Sequence, residues 1–365
     1  MALDRIVLTG FRNHRETILR DCAKFNLLVG ENGAGKTNVL EALSLLSPGR
    51  GLRRARLDEM AMAGTDGSFA VNAAMQLGSG EPVRLGTGVL AARPGSREVH
   101  VDGARVPALQ LAEWLSVGWL TPAMDRLFVE GASGRRRFLD RLILAREPGH
   151  ARAVTRLENA VRERNRLLSG DTRPEAEWIA ALEEQIAEAG ATVAAARQAM
   201  IADLSETLAA LPEGPFARPA LAYAPGGPVE KAALAEELQR QRPRDIAAGR
   251  TLSGPHRDEI AVTMAGKGQP AADCSTGEQK AMLIALVLAH SRLLESREAD
   301  SARPRLLLLD EVAAHLDPVR REALFDRLRQ GSAQVWLTGT ELAPFDAICE
   351  EAAIWQVSEG AVEQL

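Results

Sequence analysis

The sequence predicts an α/β fold interrupted by a helical insertion, and three observations carry that prediction. A glycine-rich loop, Gly30-Glu31-Asn32-Gly33-Ala34-Gly35-Lys36-Thr37, sits between a short apolar run and a helix-like stretch. Far downstream, Leu306-Leu307-Leu308-Leu309 runs into two carboxylates, Asp310 and Glu311. Between them, apolar residues recur at helical spacings through residues 135–211. The first two patterns suit buried parallel strands with loops at their C-terminal ends, and the third suits helices packed on one face.

Taken in order, residues 3–8 and 25–30 read as strands, the second running into the glycine loop. A helix is expected from Lys36 to about Leu46, stopped by Ser47-Pro48-Gly49. Phe69–Leu77, Val83–Leu90 and Arg97–Val101 are β-type runs, bounded by Asp66-Gly67 and Asp102-Gly103 among other turn signals, and predict an antiparallel β subsheet. From about Arg135 the period becomes helical through Leu139, Leu142, Ile143, Val154, Leu157, Val161 and Leu168, with a break at Pro148-Gly149. A second helical run passes through Trp178, Ile179, Leu182, Ile186, Val193, Met200, Leu204, Leu208 and Leu211 and ends at Pro212. At 1.5 Å per residue such a helix is about 50 Å long, an arm rather than an extended coiled coil. Residues 212–228, rich in Pro and Gly, are expected to form a loop, and the α/β pattern returns near Thr251. The predicted architecture is a head built from 1–120 with 249–365, and an inserted helical lobe over 121–248.

Composition narrows the class. Of 365 residues, 46% are hydrophobic and 25% charged, as in ordinary globular domains. No apolar run of about 18 residues is present and the first ten residues lack a signal-peptide layout, so a cytoplasmic protein with no membrane partner is expected. Cys22, Cys274 and Cys349 are far apart and fit neither a zinc site nor a disulfide framework; they read as three buried thiols. The net charge of −5 means that any polyanion-binding face is local.

The loop at Gly30–Thr37 fits the pattern Gly-x-x-x-x-Gly-Lys-Ser/Thr in full, in the strand-to-helix context that pattern requires. Glycines let backbone N–H groups turn toward phosphate oxygens, and the helix N-terminus adds a partial positive charge. Lys36 is expected on the β- and γ-phosphates of ATP, the Thr37 hydroxyl on Mg2+, and the following Asn38 joins the nucleotide-binding set. Asp310, at the end of an apolar strand, is expected to hold Mg2+, and Glu311 to orient or deprotonate the attacking water. Cys274-Ser275-Thr276-Gly277-Glu278-Gln279-Lys280 precedes an apolar helix from Met282 to Leu288. Ser275 with Glu278 makes a capping box, and the small residues expose N–H groups toward an anion.

The order of these elements resembles the ABC-type ATPases, in an ABC-type P-loop ATPase head. On that resemblance Ser275 and Gly277 match the signature that meets the γ-phosphate held by a second copy, so ATP would join two heads into a homodimer. Asp317 falls at the aspartate of the D-loop and Thr340 where many relatives carry a switch histidine. Thr121-Pro122-Ala123-Met124-Asp125 lies where a glutamine loop is expected and holds no Gln. Further strings narrow the likeness: Thr9-Gly10-Phe11-Arg12-Asn13-His14, Ser47-Pro48-Gly49-Arg50-Gly51-Leu52-Arg53, Arg135-Arg136-Arg137-Phe138-Leu139-Asp140, Ser253-Gly254-Pro255-His256-Arg257-Asp258 and Ser275–Lys280. Together they resemble the RecF family across almost the whole chain, least in 145–245. The resemblance implies a weak DNA-dependent ATPase that clamps duplex DNA or single-strand/duplex junctions and assists gap repair and RecA loading with RecO and RecR.

The DNA-facing residues are sought among the arginines. Residues 135–166 hold ten Arg against four acids, and Arg50, Arg53, Arg54 and Arg56 form a second group. Arg50, Arg53, Arg54, Arg135, Arg136 and Arg137 are the candidates for backbone phosphates. Only five of the 44 basic residues are Lys, so a solvated face in an arginine-biased composition, or pairing of Arg135–Arg137 with acids of the head, explains the same density. Aromatics at 4% do not interleave with these groups, which argues against base stacking. Three other classes were weighed. A transporter ATPase subunit places its signature much nearer the phosphate loop, an SMC-like structural ATPase needs a longer coiled coil, and a small-molecule kinase leaves Ser275–Gln279 and Asp317 unused.

Overall fold

Four consecutive apolar residues at 306–309 suit a strand buried on both faces inside a parallel sheet, and that is where the computed structural model puts them. It describes residues 3–76, 81–170, 175–212, 214–297 and 303–365. In chain order the elements begin with β1 (Leu3–Phe11), β2 (His14–Leu19), β3 (Phe25–Val29), α1 (Lys36–Ser44) and α2 (Leu57–Met60). There follow β4 (Phe69–Met75), β5 (Val83–Val89), β6 (Arg97–Val101), β7 (Ala104–Arg105), α3 (Leu111–Trp114) and β8 (Ser116–Leu120). The middle of the chain forms α4 (Ala132–Arg146), α5 (His150–Leu168), α6 (Ala176–Ala209), β9 (Pro219–Ala224), α7 (Lys231–Ala248), β10 (Glu259–Met264), β11 (Gln269–Pro270) and α8 (Thr276–Arg297). The end forms β12 (Arg305–Leu309), α9 (Pro318–Gln330), β13 (Gln334–Gly339), β14 (Ala352–Ser358) and β15 (Ala361–Gln364).

The chain divides into two units, Met1–Met124 with Leu294–Leu365, and Asp125–Leu293. In the first unit one sheet has the order β15-β14-β3-β13-β12-β8, and the second, antiparallel throughout, has the order β2-β1-β4-β5-β6-β7. β14, β3, β13, β12 and β8 run parallel, so the loops that follow β3, β12 and β13 leave from one edge. The registers Val29 with Gly339 and Leu309 with Leu337 bring those ends level. Such a set of C-terminal strand ends is where open parallel sheets bind ligands. Beneath it, Trp336 of β13 stacks on Trp355 of β14 with centroids 5.4 Å apart. The antiparallel subsheet expected from residues 66–101 is present as β4, β5 and β6; Leu77 lies outside the described residues.

The second unit is built on α5, α6 and α7, with Leu157, Val161, Ile186, Val193, Leu234 and Leu238 in one apolar cluster. The break expected at Pro148-Gly149 separates α4 from α5, and α6 has 34 residues. Trp178, placed on the buried face by its spacing, lies in the first turn of α6 and is 48% exposed, while its neighbour Ile179 takes the buried position.

Three expectations are corrected. Residues 249–293 belong with the helical unit, not with the head. β10 pairs with β9, Arg135 of α4 pairs with Glu259, and His290 of α8 bonds the Leu142 carbonyl. These links are side-chain and ladder contacts that hydrophobic period does not encode. The stretch 212–228, expected as loop, contains β9, because its alternation is short and flanked by Pro and Gly. Of the three thiols, Cys22 and Cys274 are buried and Cys349 is half-buried.

Candidate functional site

Gly35 is the pivot of the phosphate loop. It caps α1 in a left-handed conformation with φ 119°, which an L side chain rarely adopts. A Cβ there would also lie 2.8 Å from the Asn13 amide and 2.9 Å from His14 Nε2. Asn13 Nδ2 donates to the Ala34 carbonyl at 3.0 Å, and Asn38 donates to Asn13 Oδ1 at 2.7 Å. Asn38, expected among the nucleotide contacts, is thus placed so that its side chain braces the loop from the strand side.

The motifs found far apart in sequence meet here. Thr37 Oγ1 donates to Asp310 Oδ1 at 2.9 Å, across 273 positions of chain. Lys36 is buried, and its ammonium donates to the carbonyls of Gly30 and Glu31 at 2.6 and 2.8 Å. Burial lowers its pKa, opposed by the nearby charges of Glu311 and Asp310. Burial also raises the pKa of Asp310, against the hydroxyls of Thr338 and Thr37. Thr338, one residue before the end of strand β13, donates to the same Asp310 oxygen at 2.8 Å and accepts the backbone N–H of Glu311 at 2.9 Å. Glu311 sits in the left-handed region with φ 53°.

Thr338 is the residue that sequence reasoning missed. The resemblance places the switch position at Thr340, which is exposed beyond the strand end. The signal for Thr338 is a hydroxyl directly after the apolar run Val335-Trp336-Leu337, inside a fully buried strand, and its partner is fixed by the pairing of β13 with β12. In the sequence, Asn13 and His14 stand out only as the end of the string Thr9–His14 that resembles the RecF family. Thr121 is buried at the end of β8, just before the missing glutamine position.

Ser275, Thr276 and Gly277 are exposed at the start of α8, in the second unit. The expected capping box is made: Ser275 N and Oγ each donate to Glu278 Oε2 at 2.9 Å. Lys267 donates to the other Glu278 oxygen, and these bonds, Lys267 first, hold the Glu278 carboxyl down at about 2. Asp317 is exposed and caps α9, accepting from Arg320 N at 3.0 Å.

The arginines divide sharply. Arg50, Arg53 and Arg54 are exposed, although Arg53 donates to Asn38 at 2.6 Å and to the buried Glu41 at 3.0 Å. Arg137 is also exposed. Arg135 instead forms a two-bond pair with Glu259, and Arg136 donates to the Asp258 carbonyl at 2.6 Å. Arg164, inside the densest run, is 0% exposed and pairs with Glu183 at 3.0 Å and Asp245 at 2.7 Å. Arg135, Arg136 and Arg164 of the apparent basic face are therefore engaged within the fold.

The likenesses agree with this layout. The RecF/RecN/SMC N terminal domain family matches residues 2–356. The chain is 46% identical over 373 residues to the DNA replication and repair protein RecF of Brucella suis, covering 99% of this chain and 95% of that one. It is 43% identical to the protein of the same name from Mesorhizobium japonicum, covering 99% and 97%. In fold it matches the recombination mediator protein RecF-ATP of the RecFOR pathway with a TM-score of 0.86 at 23% identity, over 100% of this chain and 97% of that one. A nucleotide-type loop, a level acidic strand end, a capped serine turn and a full-length relation to these proteins lead to one statement: the chain belongs to the RecF family.

Proposed function

We propose that this chain binds ATP and Mg2+ at the Gly30–Asn38 loop, dimerises on the nucleotide, and as a dimer holds duplex or gapped DNA for recombinational repair. The single observation that carries the reading is the Thr37–Asp310 hydrogen bond, which joins the phosphate loop to the acidic strand end at 2.9 Å. The relatives named DNA replication and repair protein RecF support the biological role.

The donor set suits the metal. Thr37 and Asp310 offer a hydroxyl and a carboxylate, the hard oxygen donors that Mg2+ takes while keeping several waters. Mg2+ held by these two residues would neutralise charge on the β- and γ-phosphate oxygens. Lys36 exchanges its two loop carbonyls, which are neutral acceptors, for anionic oxygens that bind an ammonium more strongly. Glu311, aimed by the bond from its own N–H to Thr338, is the base that orients or deprotonates the attacking water. Ser275 and Gly277 of one copy meet the γ-phosphate held by the other, with Asp317 beside that contact. Thr340 has no titrating group, and hydrolysis is accordingly slow. DNA stimulates it, the exposed Arg50, Arg53, Arg54 and Arg137 serve the DNA backbone, and the cytoplasmic partners are RecO and RecR, acting toward RecA loading. Among the described residues no helix is long and apolar enough to cross a membrane.

Sedimentation velocity with and without ATP-Mg2+ and a gapped duplex tests the reading. The expected result is a doubled mass with ATP and a protein–DNA complex that forms only with ATP. A monomer at saturating ATP, or DNA binding indifferent to nucleotide, would sink it.

A further inference from the structure

The phosphate loop is held from outside by two tight turns that come from opposite ends of the chain. The first follows β1 and carries Asn13 into His14, the first residue of β2. The second is the two-residue turn Glu359-Gly360 between β14 and β15, closed by the Ser358–Ala361 pair, with φ of 48° and 83°. Two positive φ values in succession are what the tightest hairpin turn requires. Gly360 N donates to the Ala34 carbonyl at 2.9 Å, beside the Asn13 amide that donates to the same oxygen. A Cβ on Gly360 would stand 2.1 Å from the Asn13 carbonyl oxygen, so the two turns touch backbone to backbone.

His14 completes the bracket. It is 0% exposed, and burial lowers its pKa, so its neutral form is favoured. Nε2 lies 3.1 Å from the Gly35 carbonyl and Nδ1 lies 3.0 Å from Thr17 Oγ1. A carbonyl can only accept, so the neutral ring carries its proton on Nε2 and donates to Gly35, and the Thr17 hydroxyl donates to Nδ1. The Gly360 carbonyl, 3.3 Å from Thr17 Oγ1, is the competing acceptor for that one hydroxyl proton, and the second turn is held to the loop by its own Gly360 N–H on Ala34.

Peptide planarity gives these bonds a consequence for the ligand. In a trans peptide the C=O and the N–H of the next residue point in opposite directions. Fixing the Ala34 and Gly35 carbonyls toward Asn13, Gly360 and His14 therefore fixes the N–H groups of Gly35 and Lys36 the other way, out of the start of α1. We infer that His14, oriented by Thr17 and set beside the Glu359-Gly360 turn, is a positioning residue for the phosphate loop: together with the Asn38 and Val39 N–H groups that bond the same Gly35 carbonyl, it sets the direction of the Lys36 amide, one of those that receive the phosphates. The inference rests on the nucleotide-binding reading of this loop.

The test is calorimetric titration of ATP-Mg2+ into the full chain as wild type, His14→Asn, His14→Gln, Thr17→Val and Lys36→Met, with the melting temperature of each recorded without nucleotide. A Gln amide nitrogen can occupy the place of Nε2 and donate to Gly35, whereas an Asn amide reaches only the place of Nδ1. His14→Asn is expected to weaken ATP about tenfold, the worth of one hydrogen bond, while His14→Gln stays within about threefold of wild type. Both replace the same buried ring, so a merely structural role would lower their melting temperatures and their affinities together. Equal affinities for the two variants would overturn the inference. Should His14→Asn fail to fold, Thr17→Val decides: it keeps shape, removes the hydroxyl that orients the ring, and is expected to weaken ATP about threefold. Wild-type affinity in that variant would equally overturn it. A wild-type chain that binds no more ATP than Lys36→Met would remove the nucleotide reading itself, a result distinct from intact binding that ignores His14.

Discussion

The phosphate loop and the helical unit bury charge in opposite ways. In the first, Lys36 is answered by two backbone carbonyls and Asp310 by two hydroxyls, all neutral partners. In the second, Arg164 is enclosed by the carboxylates of Glu183 and Asp245, and Arg197 by those of Asp140 and Asp258. Burial works against the charge of Arg197, yet its two acids raise its pKa overall. A charge matched by full counter-charges has nothing to gain from an incoming ion. A charge matched by dipoles does, and that difference separates a site from a scaffold among equally buried residues.

Glu311→Gln should strain the comparison most on the side of the site. Loss of the general base is expected to slow hydrolysis about a hundred- to ten-thousandfold and to trap a nucleotide-bound dimer, with the ligand-free melting point unchanged. Phosphate release and sedimentation check it, and an unaltered rate removes Glu311 from its role. Arg164→Ala should do the converse. Leaving the buried Asp245 without its cation, while Glu183 keeps Arg242, costs about 3 kcal/mol of folding stability, read from denaturant unfolding. If that variant unfolds like wild type, the buried network is not the scaffold described. Lys36→Met removes a charged donor from phosphate and should cost about 2–3 kcal/mol of ATP binding, close to a hundredfold in Kd, and abolish ATP-driven dimers. Its stability should hold, because only two neutral carbonyls lose a partner.

The smallest effect concerns Glu278. Its carboxyl is held near 2, below the ordinary 4.5, so the stabilisation it gives is complete above about 4.5 and fades as pH falls toward 2. The melting temperature of Glu278→Gln should therefore lie below wild type at neutral pH and converge with it in acid. A gap that persists below that range would mean that the capping box is not held by charge.

Much of this was legible in the sequence because its signals are local. The loop at Gly30–Thr37 and the apolar strand before Asp310 each declare themselves within eight residues, and the Ser275–Glu278 box within four. What stayed hidden depends on pairing across the chain. Thr338 matters only because β13 lies beside β12 in one register, a pairing that no local pattern around residue 338 encodes. Arg135 and Arg164 look like a phosphate-binding face until Glu259, Glu183 and Asp245 are brought to them by the folding of distant segments. The same pairings drew 249–293 into the helical unit and made a strand of Pro219–Ala224.

Glu311 holds its carboxylate on a backbone that favours glycine or asparagine. It follows that the protein would tolerate the loss of this side chain better than its retention: Glu311→Asn, which accepts the left-handed geometry, should melt higher than wild type by an amount equivalent to roughly 1 kcal/mol.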